Sequence, residues 1–134
     1  MDRRTFLLAP LVPALSSCAA VQQQEQASRL DPSLKAYAGS IRWGNLDSAA
    51  GFLQPRAGTV QPPPPLDALK VTGYEINIGG MSPTSDEATV TMTFSYYFLD
   101  QGRVSSTTRT SVWYYVPEGR SWVMDATSLP DFKR

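Results

Sequence analysis

The stretch ATVTMTFSYYF, residues 88–98, alternates apolar and polar side chains along its whole length. A period of two puts one set on each face of a β-strand. The residues therefore predict a strand with an apolar face toward a core and a hydroxyl-rich face away from it. The apolar set comprises Ala88, Val90, Met92, Phe94, Tyr96 and Phe98.

Three further strands are predicted around this one. Upstream, Tyr74, Ile76 and Ile78 alternate with glycine or polar residues, which is typical of a strand. Downstream, the pattern predicts strands over residues 104–116 and 120–127, each preceded by a short turn that contains glycine. Because short turns join antiparallel neighbours, the four segments predict an antiparallel sheet.

Two helices are predicted before the sheet. Asp31 and Pro32 favour the N-cap and first position of a helix, and apolar residues follow at helical spacing until Gly44. A second, shorter helix is predicted to be capped by Asp47 and ended by Pro55. The two helices form a helical hairpin, and a stiff tetraproline connector leads from them to the sheet.

These elements predict an α+β fold in which an N-terminal helical hairpin packs on a curved four-stranded antiparallel sheet. Residues 31–134 form its single domain. The chain has 134 residues, no His, one Cys, and 12 Lys and Arg against 12 Asp and Glu. This composition excludes His-based triads, His/Cys zinc sites and an internal disulfide, and no metal or cofactor is expected. The balanced charge argues against a nucleic-acid partner.

The first residues have the organisation of a cleaved export signal, predicted over residues 1–17. Arg3 and Arg4 supply its positive charge, and the apolar stretch that follows is too short to span a bilayer. It ends in Leu15-Ser16-Ser17-Cys18, which resembles the lipobox of bacterial lipoproteins. That resemblance implies that Cys18 becomes the acylated first residue and anchors the protein to a membrane. A plain secretory signal is the alternative.

Residues 18–30 are predicted to be the lipid anchor and a flexible tether, with the first turns of a longer helix as the alternative. The run from Arg3 to Leu7 resembles the twin-arginine export motif, although the general secretory route stays open. Ala19, rather than Asp, follows the anchor residue. This favours the outer membrane over the inner one, with the domain facing the periplasm.

Two segments of the domain resemble a known superfamily. The run IRWGNLDSAAGFL, residues 41–53, is similar to the helical hairpin of nuclear-transport-factor-2-like, or ketosteroid-isomerase-like, domains, and SWVMD, residues 121–125, is similar to their last strand. The resemblance implies a cone-shaped fold that holds isomerases, dehydratases and non-catalytic binding domains. The third helix that precedes the sheet in that family is missing here or replaced by the proline segment.

Aromatic side chains supply the candidate sites. A pocket between the helices and the sheet is expected near Tyr37, Trp43, Phe94 and Tyr96. The residues Trp113, Tyr114 and Tyr115 follow one another in a strand, so at least one faces away from the helices. An exposed aromatic patch there predicts an interface with a partner.

The direction of Arg109 depends on the turn that precedes its strand. A two-residue turn places Arg109 beside Phe94 and Tyr96, where it is able to receive an anionic ligand. A three-residue turn places Val112 and Tyr114 on that face and Arg109 outside. The second register is preferred, because it keeps more apolar residues together.

The function expected from these observations is a periplasm-facing, lipid-anchored, non-catalytic binding module. A homodimer or an envelope protein is its expected partner. The alternative is a carrier of small hydrophobic ligands that uses the pocket between helices and sheet. An isomerase or dehydratase ranks third, with Asp125 as the nominated base.

Overall fold

The computed structural model describes the backbone of residues 11–134 and the side chains of residues 18–134. Within the described residues, two helices are followed by four strands, which form one antiparallel sheet in the order β1-β2-β3-β4. The predicted α+β architecture is confirmed. Arg3 and Arg4 lie outside the described residues. The elements are α1 (Leu11–Arg42), α2 (Leu46–Ala50), β1 (Leu69–Met81), β2 (Glu87–Phe98), β3 (Ser105–Val116) and β4 (Ser121–Met124).

The apolar set of β2 is buried, as its alternation predicts. It lies on the face of the sheet that packs against α1, which we call the inner face. The outer face carries a ladder of hydroxyl groups, in which Thr91 and Thr93 bond Thr110 and Thr108 at 2.8 and 2.9 Å. Burial of one face and hydrogen bonding on the other lock the pairing of β2 with β3.

Helix α1 is longer than predicted and passes through Asp31 and Pro32. The predicted helix start at Asp31 is therefore wrong, and so is the flexible tether, since the longer helix given as the alternative is present. Tertiary contacts explain the difference. Leu30 is buried in the core, and Trp122 Nε1 donates a 2.8 Å hydrogen bond to the carbonyl of Gln26. These contacts offset the one helical hydrogen bond that proline removes.

Helix α2 is shorter than predicted. It begins after Asn45 rather than at a cap formed by Asp47, and it ends before Phe52. Beyond it the backbone pairs with the edge of the sheet. Met124 N–H donates to the Phe52 carbonyl at 2.8 Å, and Gln54 N–H donates to the Met124 carbonyl at 2.9 Å. The predicted stop of α1 is confirmed, because Gly44 has a φ of +78° that favours glycine.

The last strand is also shorter than predicted and ends at Met124. Residues 125–134, which we call the C-terminal segment, return across the inner face. Phe132 is buried, with its ring centroid 6.1 Å from Phe94 and 5.1 Å from Tyr96. The Tyr96 hydroxyl donates to the Lys133 carbonyl at 2.8 Å. The end of the chain is thus part of the core.

Within residues 11–134, neither helix combines the length and the apolar character that a membrane crossing requires.

The packing of α1 upstream of residue 31 is tested by Leu30→Ala. This variant removes a buried side chain and is expected to lower the free energy of unfolding by about 2–5 kcal/mol. The matched control is Val21→Ala on the same helix, where the side chain is 61% exposed, with an expected change within about 0.5 kcal/mol. Urea unfolding measures both. Equal, small effects would contradict the packing.

Candidate functional site

Arg109 faces the inner side of the sheet, so the register preferred from the sequence is wrong. In the β2–β3 pairing Arg109 lies opposite Met92, and Trp113 lies opposite Ala88. The connection between β2 and β3 spans residues 99–104. The carbonyl of Phe98, at the end of β2, accepts hydrogen bonds from the amides of Gln101 and Gly102. The other register places more apolar residues on the inner face, but two features of the structure outweigh that number. Trp113 is itself the largest buried side chain of β3, and backbone carbonyls satisfy Arg109.

The carbonyls that accept from Arg109 belong to the C-terminal segment. The guanidinium donates to the Ser128 carbonyl at 2.8 Å and the Leu129 carbonyl at 3.3 Å, and it lies 3.7 Å from the sulfur of Met124. None of the ion pairs among the described residues includes Arg109. A half-buried positive charge is therefore held by neutral acceptors alone, on a strand that also turns Thr107 and Ser111 inward.

Tyr37, on α1, lies against these inward-facing polar residues of β3. Its side chain is 1% exposed, and its ring packs edge-on against Trp113 with centroids 5.4 Å apart. No described residue accepts a hydrogen bond from its hydroxyl. Burial raises the pKa of Tyr37 to about 12, and the charge of Arg109 and hydrogen bonding by its guanidinium oppose part of that rise. Tyr37 is thus protonated at neutral pH, with a donor that has no acceptor.

A cavity of about 10 Å³ lies between these groups, enough for about one water molecule. Its lining includes Tyr37, Met92, Phe94, Thr107, Arg109 and Trp113. Of the four residues predicted to form the pocket, Tyr37, Phe94 and Tyr96 are buried on this inner side. Trp43 is not, because it follows the last turn of α1 and is 79% exposed. The interior is therefore filled by the chain's own side chains.

The predicted aromatic interface is divided between the two faces of the sheet. Trp113 is fully buried, so its part in an exposed patch is wrong, and the ring of Tyr115 packs on Trp122 at 5.7 Å. Tyr114 lies on the outer face beneath Arg56, whose guanidinium is 4.3 Å from the ring centroid. The Tyr114 hydroxyl donates to the Gln54 carbonyl at 2.6 Å. The segment after α2 thus covers the outer ring, which strand alternation did not reveal.

Asp125, nominated as a catalytic base, lies after β4 and away from the inner cavity. Its Oδ1 accepts a 2.8 Å hydrogen bond from the backbone N–H of Arg56. No carboxylate is buried in the described part of the chain, and no group of three or more metal-ligating side chains occurs there. Cys18 is exposed on α1.

The most exposed aromatic feature is Trp43, at the end of α1. The guanidinium of Arg42 lies 4.5 Å from its ring centroid. Two adjoining grooves of about 320 and 520 Å³ border it, and the second is lined by the prolines at positions 63–65. The predicted position of Trp43 in the interior pocket is therefore wrong. The neighbouring Gly44 could have predicted that Trp43 is exposed. A helix that ends at residue 42 leaves the next side chain outside the row of apolar residues that pack on the sheet.

No protein-family model and no curated protein matches this chain. One solved structure has a related arrangement, a crystal structure from Xanthomonas campestris pv. campestris that carries a provisional polyketide cyclase designation. The match has a TM-score of 0.45 and 9% sequence identity, and it covers 77% of this chain and 88% of that one. Similarity at this level establishes neither a family nor an activity for the present chain.

The buried hydroxyl of Tyr37 predicts a specific dependence of stability on pH. In the unfolded chain the tyrosine ionises near 10, and in the folded chain near 12, so above pH 10 the unfolded state releases its proton first. Relative to Tyr37→Phe, wild-type stability is expected to fall by up to about 1.4 kcal/mol per pH unit between pH 10 and 12.

The measurement is chemical unfolding of both proteins at pH 7 and across that range. At pH 7 the Phe variant should be as stable as the wild type or slightly more stable, because the lost hydroxyl has no partner. Parallel curves for the two proteins above pH 10 would show that Tyr37 titrates as it does in water.

Proposed function

We propose that this chain is a bacterial lipoprotein, attached through Cys18, whose α+β domain is a non-catalytic binding module facing the periplasm. The attachment is supported by the lipobox-like Leu15-Ser16-Ser17-Cys18 and by the exposure of the Cys18 thiol. After removal of residues 1–17, α1 would start at its acylated residue. Ala19 favours the outer membrane as the location.

The observation that supports a binding module most directly is the contrast between interior and surface. The cavity beside Tyr37 and Arg109 has about 10 Å³, whereas Trp43 stands 79% exposed between two much larger grooves. Trp and Arg are the residues that most often dominate binding energy at interfaces, and here Trp43 and Arg42 are stacked. We infer that a partner contacts the domain at this corner, which we call the Trp43 corner.

A protein, rather than the membrane, is the partner that suits the Trp43 corner. Once residues 1–17 were removed, Cys18 and Arg42 would be the two ends of α1, and they lie 24 residues apart in the chain. At 1.5 Å per residue the helix separates them by about 36 Å. A helix anchored at Cys18 and directed away from the bilayer therefore holds Trp43 well beyond the lipid headgroups.

A carrier of small hydrophobic ligands is the second candidate. The inward direction of Arg109 and the unpartnered hydroxyl of Tyr37 favour it, although the interior must open to admit a ligand. An isomerase or dehydratase has less support, because Asp125 lies outside the cavity and bonds Arg56.

The anchor is tested by Cys18→Ser. Wild-type protein expressed in a bacterial host should take up an alkyne-tagged fatty acid and sediment with membranes, and Cys18→Ser should lose both properties. The control, Ser17→Ala, keeps a small residue before the cysteine and should retain the label. Wild-type protein without label would disprove the lipoprotein assignment and leave the fold unaffected.

The Trp43 corner is tested by replacing Trp43 with a photo-crosslinking phenylalanine analogue in the intact cell envelope. A discrete protein adduct is expected at this position. Val104 provides the control, because it is another large exposed apolar residue, 64% exposed, in the β2–β3 connection. An adduct of equal yield at Val104 would indicate nonspecific contact, and adducts with lipid alone at Trp43 would place this corner on the membrane.

A further inference from the structure

The inner face of β3 is more polar than packing requires. It presents Thr107, Arg109 and Ser111 toward the core, although the neighbouring β2 presents only apolar or aromatic side chains there. Placing a guanidinium in partly apolar surroundings is costly unless its donors are satisfied. In the described part of the chain, Arg109 meets this condition through carbonyls of residues 128 and 129 and a weak contact with Met124.

The C-terminal segment that supplies these carbonyls belongs to no helix or strand. Side chains hold it at three places: Arg109 on its carbonyls, Tyr96 and Phe94 around the ring of Phe132, and Asp100 paired with Arg134. No helix or strand includes the segment, and parts of a fold outside the regular elements are among the first to open.

Tyr37 adds a donor that the C-terminal segment does not use. Its hydroxyl is fully buried at the cavity that Arg109 also lines, and no described residue accepts its proton. A buried donor without an acceptor carries a free-energy cost, which an incoming acceptor removes. The guanidinium and the hydroxyl therefore face the same cavity, where the hydroxyl proton has no acceptor and the guanidinium bonds neutral carbonyls.

We propose that Arg109 and Tyr37 form a binding site for a small carboxylate with an apolar body, and that the C-terminal segment occupies this site as an internal substitute. The carboxylate would replace the two neutral carbonyls on Arg109 with a charge-assisted, bidentate contact and accept the Tyr37 hydroxyl. The apolar body would replace the ring of Phe132 against Phe94 and Tyr96.

The geometry sets the size of such a ligand. Arg109 is level with Met92, whereas Phe132 packs on Phe94 and Tyr96, two and four residues further along β2. Two to four residues of a strand correspond to about 6.6–13 Å. A carboxylate separated from a phenyl ring by three methylene groups reaches the near end of this span, so 4-phenylbutyrate is a suitable probe, and 4-phenylbutan-1-ol is its uncharged counterpart.

Occupation by the C-terminal segment also predicts self-competition. The apparent affinity for the probe equals its intrinsic affinity multiplied by the fraction of molecules in which the segment has left the site. A change that weakens the segment without touching Arg109 or Tyr37 should therefore strengthen binding. This site is separate from the lipid anchor and from the Trp43 corner, so neither of those proposals depends on it.

Isothermal titration of the full mature chain with 4-phenylbutyrate tests the site. Phe132→Ala should bind the acid at least about tenfold more tightly than the wild type. In the Phe132→Ala background, Tyr37→Phe should weaken binding about five- to tenfold, the effect of one lost hydrogen bond. Arg109→Gln in that background should weaken it at least about thirtyfold, and the alcohol should bind no better than this variant binds the acid.

Hydrogen exchange identifies what the ligand displaces. Amides of residues 128–134 should exchange faster in wild-type protein when the acid is bound. Absence of binding in Phe132→Ala, equal affinity for acid and alcohol, or an unchanged affinity in Tyr37→Phe would each overturn the carboxylate site. Tyr37→Phe keeps the proposal testable if Arg109→Gln fails to fold. Binding with unchanged exchange at residues 128–134 would overturn the role of the C-terminal segment.

Discussion

The pairing of Met92 with Arg109 is the constraint on which the rest of the domain depends. It turns a guanidinium inward, and because alternate residues of a strand share a face, it also buries Trp113 and leaves Tyr114 outside. Each consequence requires a compensation from another part of the chain. The C-terminal segment supplies acceptors to Arg109, and the segment after α2 covers Tyr114 and continues the sheet edge.

Helix α1 connects the proposed anchor residue, Cys18, with the exposed Trp43. Its upstream half is held by Trp122 and by burial of Leu30, and its downstream end carries the exposed Trp43. If Cys18 carries lipid, the anchor is attached to a helix that is itself part of the core. The position of the anchor relative to the domain is then fixed. A flexible tether would let the domain rotate freely, whereas this helix restricts where the Trp43 corner is able to meet a partner.

The interior and the Trp43 corner suggest two different kinds of binding. The corner is open and aromatic and suits a protein surface. In the interior, two carbonyls contact Arg109 and one phenyl ring packs on Tyr96, and under the proposed carboxylate site a ligand would take these positions. The unused hydroxyl of Tyr37 distinguishes this arrangement from a core built for stability alone, since such a core leaves few buried donors without acceptors.

Local patterns in the sequence were sufficient for several features. The period of two in residues 88–98 predicted β2 and its buried face, turn residues predicted the antiparallel order, and Gly44 predicted the end of α1, because each depends on neighbours in the chain. Tertiary structure alone decided the start of the packed helix, the direction of Arg109 and the burial of Trp113. Those features depend on contacts between residues distant in sequence, such as Gln26 with Trp122 and Arg109 with Ser128, and on a turn whose geometry its composition does not specify. A shift of one residue in that turn moves every side chain of β3 to the opposite face of the sheet. The sequence therefore predicted the pocket residues on α1 and β2 but not the polar residues that β3 contributes.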